Sequence, residues 1–312
     1  MTYQESLSGI GAAADAEVAS LLAQIASMRA AHADEVALLE ARIAALEAQE
    51  PPVDPPPVDP PAPSQRLRWA PPALTNPTTV DLSTLASVPK LDPAKDYILR
   101  LPPAAAWRSA NGLVIEGGRN VVCIGGLVDV TGSGGVRRAA YFKSNAGTVH
   151  LEGVRFRAVG GDFTEGIDNA SPGSTVQIEN VWIDGLCSGS QATNHADILQ
   201  TWNGPKTLRV DGLKGRTNYQ AAFLNARDTN AAAAPVEGSW ELHRCDFESV
   251  NGKYTLWLVP PPGSVKTSKV HCWGKSLGPW KPEMWPGVLN TQPTEDFTGG
   301  AGLGYVSPGY LS

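Results

Sequence analysis

The sequence predicts a mainly β protein in which a parallel β-helix follows an N-terminal coiled coil and a proline-rich linker. Three observations support this fold class: a strand motif that recurs six times, a helical segment with heptad spacing, and a run of prolines between them. We expect five regions in order along the chain. The first three are an N-terminal anchor with the coiled coil (1–50), a polyproline spacer (51–63) and a transition with the N-terminal cap (64–112). The β-helix (113–272) and a C-terminal cap (273–312) follow.

The helical segment covers residues 12 to about 49, which are rich in Ala, Leu and Glu and contain no Gly or Pro. Its apolar residues alternate steps of three and four, as the a and d positions of a coiled coil do. They are Val18, Leu21, Ile25, Met28, Val36, Leu39, Ile43 and Leu46. His32 lies on this seam, and the step of four from it to Val36 is a stutter that locally unwinds a supercoil. A single helix packed on the globular part is the alternative, which the following prolines disfavour.

The linker at residues 51–63 repeats the string Pro-Pro-Val-Asp-Pro and cannot continue a helix. A polyproline II spacer of roughly 40 Å is expected, at about 3.1 Å per residue. The composition also occurs in ligands of SH3-type domains, but a spacer suits its place between two unlike segments. Beyond it, residues 97–101 predict a strand that opens the β region.

The repeated motif places apolar residues at its first, third and sixth positions, with Gly153, Asn180 or Gly212 at a jog between the last two. Its six copies begin at Val122, Val149, Val176, Leu208, Trp240 and Val265. A loose period of roughly 20–50 residues indicates a solenoid, whereas the strands of an antiparallel sandwich, the alternative, recur about every 8–12 residues. The motif predicts one inward column and one outward, solvated column: Leu151, Ile178, Val210 and Leu242 for the first, and Glu152, Glu179, Asp211 and His243 for the second.

Composition and charge exclude several classes of partner. Residues 1–50 carry eight acidic and two basic side chains, a net charge of −6, and the linker adds −2, so the remainder carries +2 within the total of −6. The nearly neutral remainder offers no phosphate-binding face, so we expect no nucleic acid partner. No apolar run reaches about 18 residues, so no membrane insertion is expected, and the missing secretory signal disfavours a bacterial adhesin. The four cysteines lack a C-x-x-C spacing, which favours free buried thiols over disulfides or a metal site, and we expect no cofactor.

A short segment and the repeats together carry a resemblance to known proteins. Residues 194–200 contain the string His-x-Asp-x-x-Gln, and the six repeats occupy residues 122–272. With the coiled coil and the spacer, the chain resembles a phage tail fibre, tailspike or minor tail protein, and its C-terminal region is similar to the pectate-lyase-like right-handed parallel β-helix superfamily. This resemblance implies a homotrimer, contacts with other virion tail proteins through the N-terminal region, a host cell-surface glycan as ligand, and a place in the virion tail after assembly in the host cytoplasm.

The expected function is therefore structural and host-recognising, with glycan contacts made by aromatic side chains. The candidates for these contacts are Trp202, Trp257, Trp280 and Trp285, whereas Trp182 and Trp240 fall on the strand repeats and are expected to be structural. The alternative is a tail-associated polysaccharide depolymerase, a hydrolase that needs two carboxylates or a lyase that needs a base and a cation. Its catalytic candidates are His195, Asp197 and Asp184, with Asp162, Glu165 and Asp168 in a neighbouring loop. No repeat-aligned pair of carboxylates beside an Arg or Lys stands out, so we expect no strong catalytic activity.

Overall fold

The computed structural model describes eight stretches of the chain: residues 3–47, 66–133, 135–189, 194–226, 238–250, 254–259, 264–274 and 287–311. The side chains of residues 3–16, 31, 38, 42–47 and 254–259 are outside this description. The chain divides into two compact units, Met1–Pro60 and Pro61–Ser312.

The first unit contains one long helix, α1, from Tyr3 to Glu47. Its 45 residues span about 68 Å at 1.5 Å per residue. The helix begins nine residues before the predicted start and includes Gly9 and Gly11, each of which costs about 1 kcal/mol relative to Ala without ending it. The heptad residues with described side chains are exposed, among them Leu21 at 51% and Met28 at 66%. The coiled coil stays a prediction. None of the helices in the described stretches combines the length and apolar character that a membrane crossing requires.

The second unit is mainly β and consists of parallel sheets, as predicted. Among the described residues, ten strands form the long sheet: β1 (Thr78–Asp81), β2 (Tyr97–Arg100), β3 (Trp107–Ser109), β5 (Val121–Val130), β7 (Thr148–Ala158), β9 (Thr175–Cys187), β11 (Thr207–Thr217), β13 (Ser239–Ser249), β15 (Val265–Gly274) and β16 (Val288–Leu289). Six described strands form a second sheet: β4 (Leu113–Glu116), β6 (Arg138–Lys143), β8 (Glu165–Ala170), β10 (Leu199–Thr201), β12 (Gln220–Asn225) and β14 (Tyr254–Val259). A 3-10 helix at Leu82–Thr84 follows β1.

The chain alternates between the two sheets from β4 to β15, and from β5 onwards each strand pairs in parallel with the strand two places earlier. The inner side chains of both sheets form one apolar cluster, in which Ile178 of β9 and Ile167 of β8 are both buried. Parallel sheets of this kind are normally covered on their faces, because a parallel pair requires a crossover connection. The arrangement is compatible with the predicted solenoid.

The predicted jogs lie in the middle of the long strands. Gly153, Asn180 and Gly212 have φ values of 65°, 50° and 81° and occupy one register position on β7, β9 and β11. Two residues that the motif did not reveal, Arg244 and Lys269, continue the same position with φ values of 45° and 50°. Because L-residues other than Gly and Asn rarely enter this region, the repeated conformation shows that the sheet geometry, not the residue, imposes the bend. We call the halves of each long strand before and after the jog the first and second arms.

The predicted inward column is confirmed. Leu151 pairs with Ile178, Ile178 with Val210, and Val210 with Leu242, and all four side chains are fully buried. The first copy of the motif is wrong by one residue, because Val121 rather than Val122 pairs with Val149. Its jog is therefore Gly125, and a second glycine after it obscured the register.

The four cysteines and Trp240 are buried in the interior, as the sequence predicted. All four cysteines are free and buried. Burial raises the pKa of the Cys123 thiol to about 12, so the thiol acts as a small apolar group. Trp240 is fully buried and donates its indole N–H to the carbonyl oxygen of Pro205 at 3.0 Å.

Candidate functional site

The outer face of the second arms carries a ladder of cationic and aromatic side chains. Arg155, Trp182 and Lys214 occupy matching positions on β7, β9 and β11. The guanidinium carbon of Arg155 lies 3.9 Å from the centroid of the Trp182 ring, and Nζ of Lys214 lies 5.6 Å from it. Such contacts contribute about 0.5–1 kcal/mol at exposed sites. Trp182 is therefore a structural support for both cations, in line with the prediction.

Two arginines of β7 are held by carboxylates on neighbouring strands. Arg155 donates from Nε to Oδ2 of Asp184 at 2.9 Å. Arg157 donates from Nε and Nη2 to the two oxygens of Asp129 at 2.8 and 3.0 Å, the bidentate geometry of a strong charged pair. These hydrogen bonds raise the pKa of Arg157 above its usual value. Each guanidinium has five N–H groups, so both arginines retain further donors for a ligand.

A groove of about 480 Å³ lies between this ladder and a later part of the chain. Arg155, Arg157 and Trp182 line one wall, and residues 296–303 contribute the other. On that second wall, the Asp296 carboxylate accepts hydrogen bonds from the backbone N–H and the hydroxyl of Thr298 at 3.1 and 2.8 Å. We call this site the Arg155 groove. It offers fixed donors, acceptors and an indole edge, a combination suited to the hydroxyl groups and apolar faces of a sugar ring.

A second group of ionisable side chains is buried at the six-stranded sheet. Nε of Arg138 contacts both Glu165 and Asp168, and Arg138 and Glu165 share a register position on β6 and β8. Asp197 lies beside them, because its carbonyl oxygen accepts a hydrogen bond from the N–H of Gly166 at 2.7 Å. We call Arg138, Glu165, Asp168 and Asp197 the carboxylate cluster. Arg138 lies 30 residues from Asp168 in the sequence and meets it across neighbouring strands. Glu165 and Asp168 lie on the same strand, so they are not the repeat-aligned pair of carboxylates that the sequence analysis looked for.

The carboxylate cluster contains more negative groups than its single arginine can neutralise. Burial raises the pKa of Asp168 and of Asp197 well above the usual range, and the negative charge of Glu165 raises both further. Both oxygens of Asp197 and Oδ1 of Asp168 have no hydrogen-bond partner in the described part of the structure. Because an ionised carboxylate without a partner is strongly disfavoured in the interior, burial favours the protonated forms of Asp168 and Asp197.

The three catalytic candidates do not lie in one place. His195 stacks on Tyr219 with the ring centroids 5.3 Å apart and the planes at 24°. Asp184 lies on the long sheet in its pair with Arg155, whereas Asp197 lies in the carboxylate cluster. Their catalytic role stays a prediction.

The tryptophans predicted to contact glycan are only partly described. Trp202 follows β10, is half-buried and donates its backbone N–H to the carbonyl oxygen of Asn169 at 3.0 Å. Trp257 lies on β14, but its side chain lies outside the described residues, as do Trp280 and Trp285 entirely. Their contacts with glycan stay a prediction.

The outward column is stacked as predicted but is not solvated. Glu152 and Glu179 are fully buried, and Asp211 and His243 are 1% and 7% exposed. Residues 66–74 and 296–311, which we call the leading and trailing straps, make the contacts that cover this column. The solvated column is therefore a wrong prediction, because segments distant in sequence replace the water. Of the predicted C-terminal cap, β16 extends the long sheet and the trailing strap lies over the middle long strands.

The carboxylates of the column have donors from both straps. Glu152 accepts hydrogen bonds from the hydroxyls of Tyr305 and Tyr310 at 2.9 and 2.6 Å, and its Oε2 lies 3.0 Å from Nε2 of His150. Burial alone would raise the pKa of Glu152, but these hydrogen bonds lower it below its ordinary value. Among the described residues, Glu179 accepts hydrogen bonds from two backbone N–H groups, and burial together with the charge of Asp211 raises its pKa to about 8.

Within the described residues, no group of three or more His, Cys, Asp or Glu side chains is placed to hold a metal ion. Comparisons with protein-family models, with curated proteins and with solved structures each give no match. The function is therefore argued from the geometry of this chain.

Sequence reasoning overlooked the arginines of the Arg155 groove, although a signal for them exists. The second arms from β7 onwards carry charged or aromatic residues at two alternate positions, such as Arg155 and Arg157 on β7 and Trp182 and Asp184 on β9. Aligning the repeats by these outer positions, and not only by the apolar ones, reveals opposite charges on adjacent strands. No comparable pattern points to Tyr305 and Tyr310, since they lie outside every repeat.

Proposed function

We propose that this chain is a fibre or minor tail protein of a phage virion that binds a host-surface glycan through the Arg155 groove. Its second unit closes as a right-handed parallel β-helix, and α1 joins three copies in a parallel coiled coil. The N-terminal region contacts other tail proteins. Support comes from the strict alternation between parallel sheets and from the exposed apolar residues at the heptad positions of α1.

The observation that carries glycan binding is the construction of the groove. Arg155 and Arg157 are fixed by carboxylates on adjacent strands, and the indole of Trp182 supports one of them. Ion pairs fixed in this way present donors and acceptors without losing further side-chain entropy on binding, which is a main cost of recognition. Guanidinium and carboxylate charges nearly balance here, so the ligand we expect is a neutral or weakly acidic sugar.

The binding test compares two arginines on the same sheet. Arg157→Ala removes a lining residue of the groove, whereas Arg216→Ala removes an arginine that pairs with Glu248 outside the lining. Hydrogen bonds from charged groups contribute about 1.5–3 kcal/mol, so Arg157→Ala should weaken binding to purified host cell-wall glycan at least about tenfold. Arg216→Ala should leave the affinity within about twofold of wild type. Calorimetric titration measures both, and a melting curve shows that each variant is folded.

The outcome locates the site. Equal affinity of Arg157→Ala and wild type would exclude the Arg155 groove. A loss in Trp202→Ala with Arg157→Ala unchanged would place the glycan beside β10 instead. Absence of binding by the wild type to any fraction of the host envelope would refute the proposal as a whole.

The assembly test is independent of the ligand. Light scattering of the full chain should give three times the 32.9 kDa mass of one chain at micromolar concentration. Ile25→Asp combined with Ile43→Asp places charges at two core positions of the expected coiled coil and should reduce the mass to that of one chain. A wild-type mass of one chain would contradict the trimer.

The carboxylate cluster favours a second candidate function, cleavage of the glycan. Hydrolysis of a glycosidic bond requires one protonated and one ionised carboxyl group, and the raised pKa values of Asp168 and Asp197 favour the protonated form. Both side chains are fully buried, so we rank this function second. New reducing ends or unsaturated uronates released from host glycan by wild type, but not by folded Asp197→Ala, would promote it to first.

A further inference from the structure

The two straps are fastened to each other as well as to the long sheet. Leu67 of the leading strap donates its N–H to the carbonyl oxygen of Gly309 at 2.9 Å, and Leu311 donates to the carbonyl oxygen of Leu67 at 2.7 Å. Leu67 is fully buried, so this parallel bridge is shielded from water. The bridge joins segments more than 240 residues apart in the sequence. It closes a loop of chain around the outward column.

The trailing strap contacts the long sheet at its jogs. Gly302 donates its N–H to the carbonyl oxygen of Gly153 at 2.9 Å and accepts from the N–H of Gly126 at 3.1 Å. A Cβ atom on Gly153 would collide with the ring of Tyr305. Asn180, at the next jog, has its Nδ2 3.3 Å from the hydroxyl of Tyr305. The jog positions therefore bend the strands and also provide the surface against which the trailing strap packs.

Each strap holds a different carboxylate of the outward column. The trailing strap binds Glu152 through two tyrosine hydroxyls, and the leading strap binds Glu179 through the N–H groups of Arg68 and Trp69 at 3.1 and 3.2 Å. Nε of Arg68 also lies 3.6 Å from the carboxylate of Asp211. Both straps thus close over a row of three acids on adjacent strands, which are about 4.8 Å apart.

We infer that the straps form a clasp over the outward column that is closed in mildly acidic solution and opens as the pH rises, exposing the outer face of the first arms. The controlling group is Glu179, because it lies between two other acids. On the long sheet it is flanked by Glu152 and Asp211, with Arg244 beside Asp211. On the straps it faces Arg68 and Tyr310.

The direction of the pH effect follows from the protonation of Glu179. Its pKa is about 8 in the closed clasp against an ordinary value of 4.5, so closing takes up a proton throughout this window. Closing is then favoured at the acidic end of this window. The equilibrium constant for closing falls by up to about tenfold per pH unit as the pH rises towards 8. Glu152 has the opposite sign, since its lowered pKa stabilises the closed clasp above about pH 4.5 and loses this effect below it. Because the trailing strap is also a wall of the Arg155 groove, opening the clasp removes that wall.

Hydrogen exchange of the full chain tests the clasp. The readout is the protection of the amides of Leu67 and Leu311, corrected for intrinsic exchange rates, between pH 5 and 8. In the wild type this protection should fall by at least tenfold over the window, while the amides of β9 stay unchanged. Glu179→Gln keeps an acceptor for the two strap amides but cannot ionise, so its protection should be independent of pH. Glu248→Gln, a control on the outer face of a second arm, should follow the wild type.

A further variant keeps the inference testable if Glu179→Gln does not fold. Tyr310→Phe removes one strap contact to Glu152 and should lower protection roughly fivefold at every pH without changing the slope. Protection of the strap amides that does not change between pH 5 and 8 in the wild type would overturn the inference. So would an equal decline in wild type and Glu179→Gln, because another group would then control it.

Discussion

Two adjacent columns of the long sheet are equally buried but chemically opposite. The inner column is apolar and the outer column, one residue further along each strand, is polar: Leu151, Ile178, Val210 and Leu242 against Glu152, Glu179, Asp211 and His243. The inner column contacts other apolar side chains of the same cluster. The outer column contacts backbone N–H groups and tyrosine hydroxyls that the straps supply.

The difference shows that alternation along a strand identifies the two faces of a sheet but not their exposure to water. Inner burial arises within the repeats, since every turn of the chain adds an apolar residue to the same column. Outer burial depends on segments outside the repeats, and a buried polar group is stable only when such segments bring it partners. Replacing one residue in each column separates the two kinds of stabilisation.

The largest effect is expected in the inner column. Ile178→Ala leaves a cavity among fully buried neighbours and should lower the free energy of unfolding by about 2–5 kcal/mol. The matched control is Ile124→Ala, because Ile124 pairs with Glu152 in the outer column and is 42% exposed. Urea denaturation should show a loss below about 1 kcal/mol for the control. Equal losses in both variants would mean that the inner column is not the core.

A smaller effect is expected in the outer column. Glu152→Gln removes the charged acceptor of two tyrosine hydroxyls and should lower the free energy of unfolding by about 1.5–3 kcal/mol at pH 7. The loss should shrink as the pH falls below the ordinary pKa of Glu, where the unfolded chain takes up a proton, and should vanish once the pH is below the lowered pKa of the folded carboxylate. Glu116→Gln, at a surface carboxylate that pairs with Lys90, should change stability by less than about 1 kcal/mol. A Glu152→Gln variant as stable as the wild type would show that the straps contribute no net stability.

The smallest effect, and one of opposite sign, is expected in the carboxylate cluster. Asp197 has a raised pKa, so the folded state retains a proton that the unfolded chain releases, and stability is lost as the pH rises above about 4. Asp197→Asn removes this penalty and should raise the melting temperature at pH 7 by about 2–4 °C, the shift that about 1 kcal/mol produces in a domain of this size. Calorimetry at pH 4 should find the two proteins equally stable. A lower melting temperature of Asp197→Asn at pH 7 would show instead that the carboxylate is ionised and has a partner.

The repeated motif determined the long parallel sheet, the inward column and three jogs, whereas the strands of the six-stranded sheet lie where the sequence was interpreted as loops between the repeats. These features are local: the period of two along a strand sets the inner side chains, and Gly153, Asn180 and Gly212 are residue types that accept positive φ. The same approach was wrong by one residue at Val122, where two successive glycines allowed two registers. The long helix was predicted too, with its start nine residues late, because Gly9 and Gly11 suggested an end that the helix does not have.

Only the tertiary structure decided what covers the outer column and which charges meet. Tyr310 lies 158 residues from Glu152, and Arg138 lies 30 residues from Asp168. Contacts across such separations leave no periodic signal, because the covering segments belong to no repeat and loop lengths vary from one repeat to the next. The sequence therefore determined which side chains face the interior, and the closure of the straps determined which of the outer ones lose their water.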